Sequence, residues 1–306
     1  MTSICVAPGK VNLSLRILGL RPDGYHDIST VFHAVSLTDE VRVTRGGPGA
    51  GRVVTTMGER VESVPSGDAN IAARAALALA RVAGMDDPDV TIDIIKAIPV
   101  AAGMAGGSAD AAATLVALRA LWGLATTDDE LTGIAASLGS DVPFSLLGGT
   151  AKGTGRGEIL TPVLTAATLH WVVALSEGEL STPEVYAAWD RLAESGHVVA
   201  SSADVDGPLL AALRHGDPRE IARHLVNDLE PAALSLRPSL RGVLDMGLEL
   251  GALAGMVSGS GPTCVFLAES RDAAINLAAE LAGAGVARGV RHAVGPAPGA
   301  RLVLSR

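Results

Sequence analysis

One stretch of this 306-residue chain has the residue types and spacing to hold phosphate. It reads Pro99-Val100-Ala101-Ala102-Gly103-Met104-Ala105-Gly106-Gly107-Ser108-Ala109-Asp110. Small residues let a backbone approach a ligand closely. The helix that the following alanines begin presents unpaired N–H groups and the positive end of its dipole. Such a strand–loop–helix cradles an anion. It is not a Walker A loop, since no Gly-Lys-Ser or Gly-Lys-Thr occurs in the chain, and it lacks the spaced glycines of a dinucleotide fingerprint. An ordinary tight turn into a helix is the plainer alternative. Two further segments bear on that choice. Near the start, Ala7-Pro8-Gly9-Lys10-Val11-Asn12-Leu13 sets one lysine and one asparagine between two apolar strands. Near the end, Met256-Val257-Ser258-Gly259-Ser260-Gly261-Pro262 is a second glycine turn that runs into an apolar strand.

The elements that must position these segments follow from pattern. Strand character dominates the first sixty residues, at 4–7, 13–18, 41–44 and 53–57, with turns at 21–24 and 46–51. An Ala-rich helix fits 70–83, capped by Asp68 or Asn70 and stopped by Gly84. A strand at 90–95 enters the glycine loop, and a second Ala/Leu helix runs over 108–121. The box Thr127-Asp128-Asp129-Glu130 opens a third helix, which ends near Gly139. In the second half come a strand at 170–175, helical segments, and strands near Met256, at 264–267 and at 301–304. The result is a mixed α+β chain of two lobes, 1–160 and 161–306.

Composition bounds the function. A net charge of −9 argues against a nucleic-acid binder, which needs a surplus of Lys and Arg, but leaves room for a local anion site. Aromatics make up 3%, so the cores are aliphatic. The uncharged stretches 159–176 and 250–268 are broken by proline, glycine and hydroxyl residues and read as strand and turn, so no membrane span is expected. No signal peptide is visible. Cys5 and Cys264 are far apart in apolar runs and read as reduced, buried thiols, consistent with a cytoplasmic location. Of 24 basic residues only Lys10, Lys96 and Lys152 are lysines.

The three chemistry-bearing segments, in this order and across essentially the whole chain, resemble the GHMP family of small-molecule kinases. Four further segments place the resemblance on the branch that phosphorylates the 2-hydroxyl of 4-diphosphocytidyl-2-C-methyl-D-erythritol. They are Arg21-Pro-Asp-Gly24-Tyr25-His26, Gly139-Ser-Asp141-Val-Pro143, Thr182-Pro183-Glu-Val-Tyr186 and Asn227-Asp228-Leu-Glu230-Pro231. The resemblance implies an α+β, two-lobed fold with the site in the cleft between the lobes. The N-terminal lobe would be ribosomal-S5-domain-2-like and the C-terminal lobe ferredoxin-like. It also implies an ATP-dependent kinase with Mg²⁺ arriving on the nucleotide, its protein ligands unassigned.

In such a reaction a carboxylate accepts the hydroxyl proton and the rest is positioning and charge stabilisation. The resemblance gives that role to Asp141, with Lys10 beside it; a turn aspartate is the plainer reading. Tyr25, His26 and Tyr186 resemble a cytidine clamp and Asn12 a substrate contact, while Lys96, Asn70 and residues 99–110 would line the ATP site. The family's loop is richer in glycine. Alanine at 101, 102, 105 and 109, where positive φ is costly, predicts a loop built in ordinary backbone regions there. Ala109 also leaves Ser108 as the nearer hydroxyl. Homoserine- or mevalonate-type kinases, and a catalytically silent regulator on the same fold, are the alternatives. A small-molecule substrate, no nucleic acid or membrane partner, and a monomer or weak homodimer complete the expectation.

Overall fold

The computed structural model describes residues 1–305 apart from 48, 50, 87 and 203–205. The predicted turn at 46–51 thus lies partly outside the described residues. β1 (Thr2–Leu20) and β2 (His26–Arg45) are each one long strand, paired antiparallel along most of their length. The expected break in β1 is absent. Pro8, Gly9 and Lys10 interrupt the apolar pattern, yet the ladder absorbs them by shifting register between Pro8 and Gly9 and again between Asn12 and Ser14. A bulge tolerates a residue without a ladder donor. Lys10 and Asn12, two residues apart between those shifts, share one face of the sheet.

Next come β3 (Arg52–Met57), α1 (Ile71–Val82) and β4 (Val90–Ile95). β4 joins β2 antiparallel and carries β3 parallel on its other edge. Asn70 caps α1 as predicted, its side-chain oxygen accepting from Ala72 N at 2.8 Å. α2 (Gly106–Trp122) begins two residues earlier than predicted. It is buried on most sides, packed between the β1–β2 sheet and α1, so its sequence shows little polar face. α3 (Asp128–Leu138) carries the predicted capping box: Thr127 Oγ1 accepts from Glu130 N, and Glu130 Oε2 accepts from Thr127 N. α4 (Val142–Leu147) follows, with Pro143 in its first turn, where a missing N–H costs nothing. β5 (Thr150–Thr154) and β6 (Ile159–Pro162) then extend the sheet from β2.

The second half builds its own sheet. β7 (Leu169–Leu175) leads through α5 (Thr182–Glu194), α6 (Gly207–His215), α7 (Pro218–Ala222), β8 (Val226–Asn227), α8 (Glu230–Leu236) and α9 (Ser239–Glu249) to β9 (Ala254–Val257). β10 (Cys264–Ala268), α10 (Arg271–Ala284) and β11 (Gly289–Gly295) complete it. The antiparallel order β11-β7-β10-β9 is that of a ferredoxin-like sheet. β12 (Arg301–Ser305) returns to the first sheet beside β1, and β8 touches β1 in parallel. One aliphatic core runs from β1, β2 and α2 across to Trp171 and Val173; a second fills the space between the smaller sheet and α5, α8, α9 and α10. Both cysteines are buried and unbonded, and burial pushes each thiol up to about 12. Among the described residues no helix is long and apolar enough to cross a membrane.

Candidate active site

A cleft of about 1020 Å³ opens where β1, the loop before α2, the start of α4, the start of α5 and the β9–β10 turn converge. Its walls include Lys10, Asn12, Tyr25, His26, Asn70, Lys96, every residue from Pro99 to Gly107, Asp110, Asp141 and Tyr186. Two predicted positions lie outside it. Because α2 starts at Gly106, Ser108 and Ala109 fall in its first turn, and Ala109 faces the core at 0% exposure.

Lys10 lines the cleft and is 5% exposed. It donates to Asn12 Oδ1 at 2.6 Å and to the carbonyl of Gly103 at 3.0 Å, and stands 4.0 Å from Asp141 Oδ2. Burial pushes its pKa down, and the Asp141 carboxylate pulls partly the other way. Asn12 is fixed in turn, donating through Nδ2 to Thr30 Oγ1, which donates to the Ser14 carbonyl. Asp141, half-buried, precedes the first turn of α4 and reaches Lys10 from the opposite wall.

The glycine loop is held from two sides. Lys10 N donates to Met104 O, and Ser258 Oγ donates to Gly103 O at 3.3 Å. Gly103 sits at φ +68°, and a Cβ there would meet Ser258 O at 2.0 Å, so only glycine fits between loop and turn. The expectation of ordinary backbone at the alanines holds at Ala102 and Ala109 and is overturned at Ala101 (φ 53°) and Ala105 (φ 59°), which are left-handed. That conformation costs a non-glycine residue about 1–2 kcal/mol, offset here by the contacts that clamp the loop. Ala105 precedes α2 and gives it no side-chain cap, and Gly106 and Gly107 of the first helical turn line the cleft.

Beside the loop lies an ionic triad that sequence reasoning half missed. Lys96 is clamped between Asp110, at 2.7 Å, and Asp39, whose Oδ1 also accepts from Ala97 N and Ile98 N. Burial lowers the Lys96 pKa, but Asp110 and Asp39 more than offset this and it lies above its ordinary value. Burial raises Asp110 to about 8, with Lys96 opposing and Asp39 adding. Asp110 Oδ1 is buried without a hydrogen bond among the described residues. The ammonium is thus neutralised locally. Asp39 lies on β2, 57 residues before Lys96 in sequence, and no local pattern announces it.

At the other end the aromatic residues gather. His26 stacks on Tyr186 with ring centroids 4.8 Å apart, Trp189 meets the imidazole edge-on, and Nε2 lies 2.8 Å from Asp190 Oδ1. Tyr25 is exposed, with the Arg156 guanidinium 5.0 Å over its ring. Burial, then Asp141, push the Tyr186 phenol up to about 12. Asp190 and Arg156 were not singled out from sequence. Asp190, four residues after Tyr186 and so on the same helical face, carried a signal; Arg156 carried none. The Asn227–Glu230 segment braces the glycine turn: Asn227 Nδ2 donates to Val257 O and Gly259 O, and Glu230 Oε2 accepts from Val257 N. Lys152 lies elsewhere, 3.8 Å from Asp206.

Residues 70–149 match the GHMP kinases N terminal domain and residues 209–287 the GHMP kinases C terminal domain. The 4-diphosphocytidyl-2-C-methyl-D-erythritol kinase of Nocardia farcinica is 55% identical over 97% of this chain and 95% of its own length. The crystal structure of a 4-(cytidine 5'-diphospho)-2C-methyl-D-erythritol kinase superposes with TM-score 0.76 at 33% identity, covering 96% of this chain and 98% of that one. A homoserine kinase from Cytophaga hutchinsonii has the same TM-score at 21% identity, covering 99% and 97%, which shows the common fold. The loop, the lysine–aspartate pair and these likenesses agree, and the chain belongs to the GHMP kinase family, on the branch of the 4-diphosphocytidyl-2-C-methyl-D-erythritol kinases.

Proposed function

We propose that the protein transfers the γ-phosphoryl group of ATP to the 2-hydroxyl of 4-diphosphocytidyl-2-C-methyl-D-erythritol. The observation that carries this reading is the Lys10–Asp141 pair, 4.0 Å apart, in one cleft with the glycine loop and the His26–Tyr186 stack. Asp141 accepts the hydroxyl proton as the oxygen attacks phosphorus and the bond to the leaving diphosphate breaks. Lys10 orients that carboxylate and offsets the charge on the transferring group. Backbone N–H groups of the loop and of the first turn of α2 take the nucleotide phosphates, while Asn70, Lys96 and Asp110 line the pocket beside them. Tyr25, His26 and Tyr186 hold the cytosine, stacking being worth about 1–3 kcal/mol per base, and Asn12 contacts the alcohol.

Mg²⁺ requires oxygen donors and commonly keeps phosphates and waters as ligands. Among the cleft's acids Asp110 is bound to Lys96 and Asp190 to His26, and no cluster of three or more ligating side chains occurs among the described residues. The donor set fits a metal carried in on the nucleotide, beside Asp141, where it would neutralise phosphate charge. We further take the lobes as 1–160 and 161–306, the protein as cytoplasmic, and the active species as a monomer or weak homodimer without nucleic-acid or membrane partners.

ATP consumption against a panel of alcohols tests the reading. Turnover with the cytidyl substrate alone is expected. Turnover only with homoserine or mevalonate, or with none of the panel, would overturn it.

A further inference from the structure

The base end of the cleft contains a polar contact that the proposed chemistry leaves unused. His26 opens β2, its ring stacked on Tyr186 and met edge-on by Trp189, and Nε2 is 2.8 Å from Asp190 Oδ1. A carboxylate only accepts hydrogen bonds, so the ring nitrogen facing it carries the proton. In the neutral imidazole the other nitrogen is then a bare acceptor. Nδ1 has no hydrogen bond among the described residues, and His26 lines the cleft. The stack on Tyr186 and the bond to Asp190 hold the ring in this orientation, so Asp190 decides what His26 presents.

Resting on the reading that the substrate carries cytosine, we infer that Asp190 is a positioning residue that sets base specificity. By holding the His26 proton on Nε2 it leaves Nδ1 to accept a hydrogen bond from the exocyclic amine of cytosine. Uracil brings a carbonyl oxygen to the same place, lone pair against lone pair, and the unmade bond is left inside the cleft. A phenylalanine-like or aliphatic residue at 190 would leave the imidazole free to choose either tautomer. Asparagine could turn its amide to donate to Nε2, moving the ring proton to Nδ1 and inverting the preference.

The test compares kcat/KM for the cytidyl substrate and for its uridyl counterpart at pH 8 in the wild type and in Asp190→Asn. The wild type is expected to favour the cytidyl compound by roughly tenfold or more, and Asp190→Asn to cut that ratio at least several-fold, with the cytidyl loss falling on KM rather than kcat. A merely structural role would depress both substrates together. A second measurement needs no variant: the two-bond ¹H–¹⁵N correlations of the His26 ring in the intact protein should show the Nε2–H tautomer. An unchanged ratio in Asp190→Asn when its ring spectrum shows the proton moved to Nδ1, no base preference in the wild type, or a Nδ1–H ring in the wild type would each overturn the inference. Failure of the wild type to turn over the cytidyl substrate would sink the functional reading instead, and the ring spectrum would still decide what Asp190 does.

Discussion

At the scale of residues, the cleft turns on a compact ammonium in a tight socket. Lys10 fits between Asn12 Oδ1 at 2.6 Å and Gly103 O at 3.0 Å with almost no solvent around it. A planar guanidinium is longer and spreads its donors in a fork, so Lys10→Arg should not reproduce both contacts. We expect its kcat to fall by about 10²-fold or more, the scale of losing one charge-stabilising donor, in a protein whose circular dichroism is unchanged; wild-type turnover would detach Lys10 from the chemistry. Asp141→Asn keeps the shape of the carboxylate but cannot accept a proton to the same end. Its kcat should drop by about 10²–10⁴-fold with ATP binding largely retained, measured by steady-state kinetics beside nucleotide titration. In a chain with three lysines, two stand in the cleft, and the third, Lys152, pairs with Asp206 away from it.

At the scale of elements, the glycine loop is a strained segment held by its neighbours. Ala101 is left-handed and exposed, so its methyl group has strain to lose and little packing to give up. Ala101→Gly should therefore raise stability by up to about 1 kcal/mol, read from urea unfolding. Gly103→Ala is the opposite case, since its Cβ would lie 2.0 Å from Ser258 O. The loop must then part from the β9–β10 turn, taking the Gly103 carbonyl away from Lys10. A fall in kcat/KM of at least about tenfold is expected, from displaced reacting groups, and an active Gly103→Ala enzyme would show that the docking of loop on turn is dispensable.

At the scale of the whole molecule, the two sheets meet at a histidine. His33 on β2 is fully buried, donates or accepts at Thr150 Oγ1 through Nδ1 at 2.8 Å, and lies against Trp171 of β7 and Gly295 of β11. Burial pushes its pKa down from 6.5 to about 3. Below pH 6.5 the unfolded chain takes up a proton that the native state refuses until about pH 3. The stability His33 contributes is therefore complete above 6.5 and is lost as pH falls from 6.5 towards 3, at up to about 1.4 kcal/mol per pH unit. Unfolding free energies at pH 7.5, 6.0 and 5.0 should decline more steeply for the wild type than for His33→Gln. Parallel curves would mean that the native state admits the proton.

The sequence by itself determined the elements whose signals are local. The Asn70 cap, the Thr127–Glu130 box, the strand at 90–95 and the glycine loop are each written within a few neighbouring residues, because caps and turns are satisfied by their own backbone. Motif order was enough to bring Lys10, Asp141, His26 and Tyr186 to one cleft as expected. Only the tertiary structure decided that β1 runs unbroken through Pro8–Gly9, because the bulge depends on a partner strand that local pattern does not show. It likewise decided that two alanines adopt left-handed backbone, since the clamping contacts come from β1 and from a turn more than 150 residues away. Asp39 on Lys96 and Asp190 on His26 belong to the same class. Burial and pairing across long sequence separations are properties of the folded chain, and they set which charges are neutralised, which proton a ring carries and which strain is tolerated.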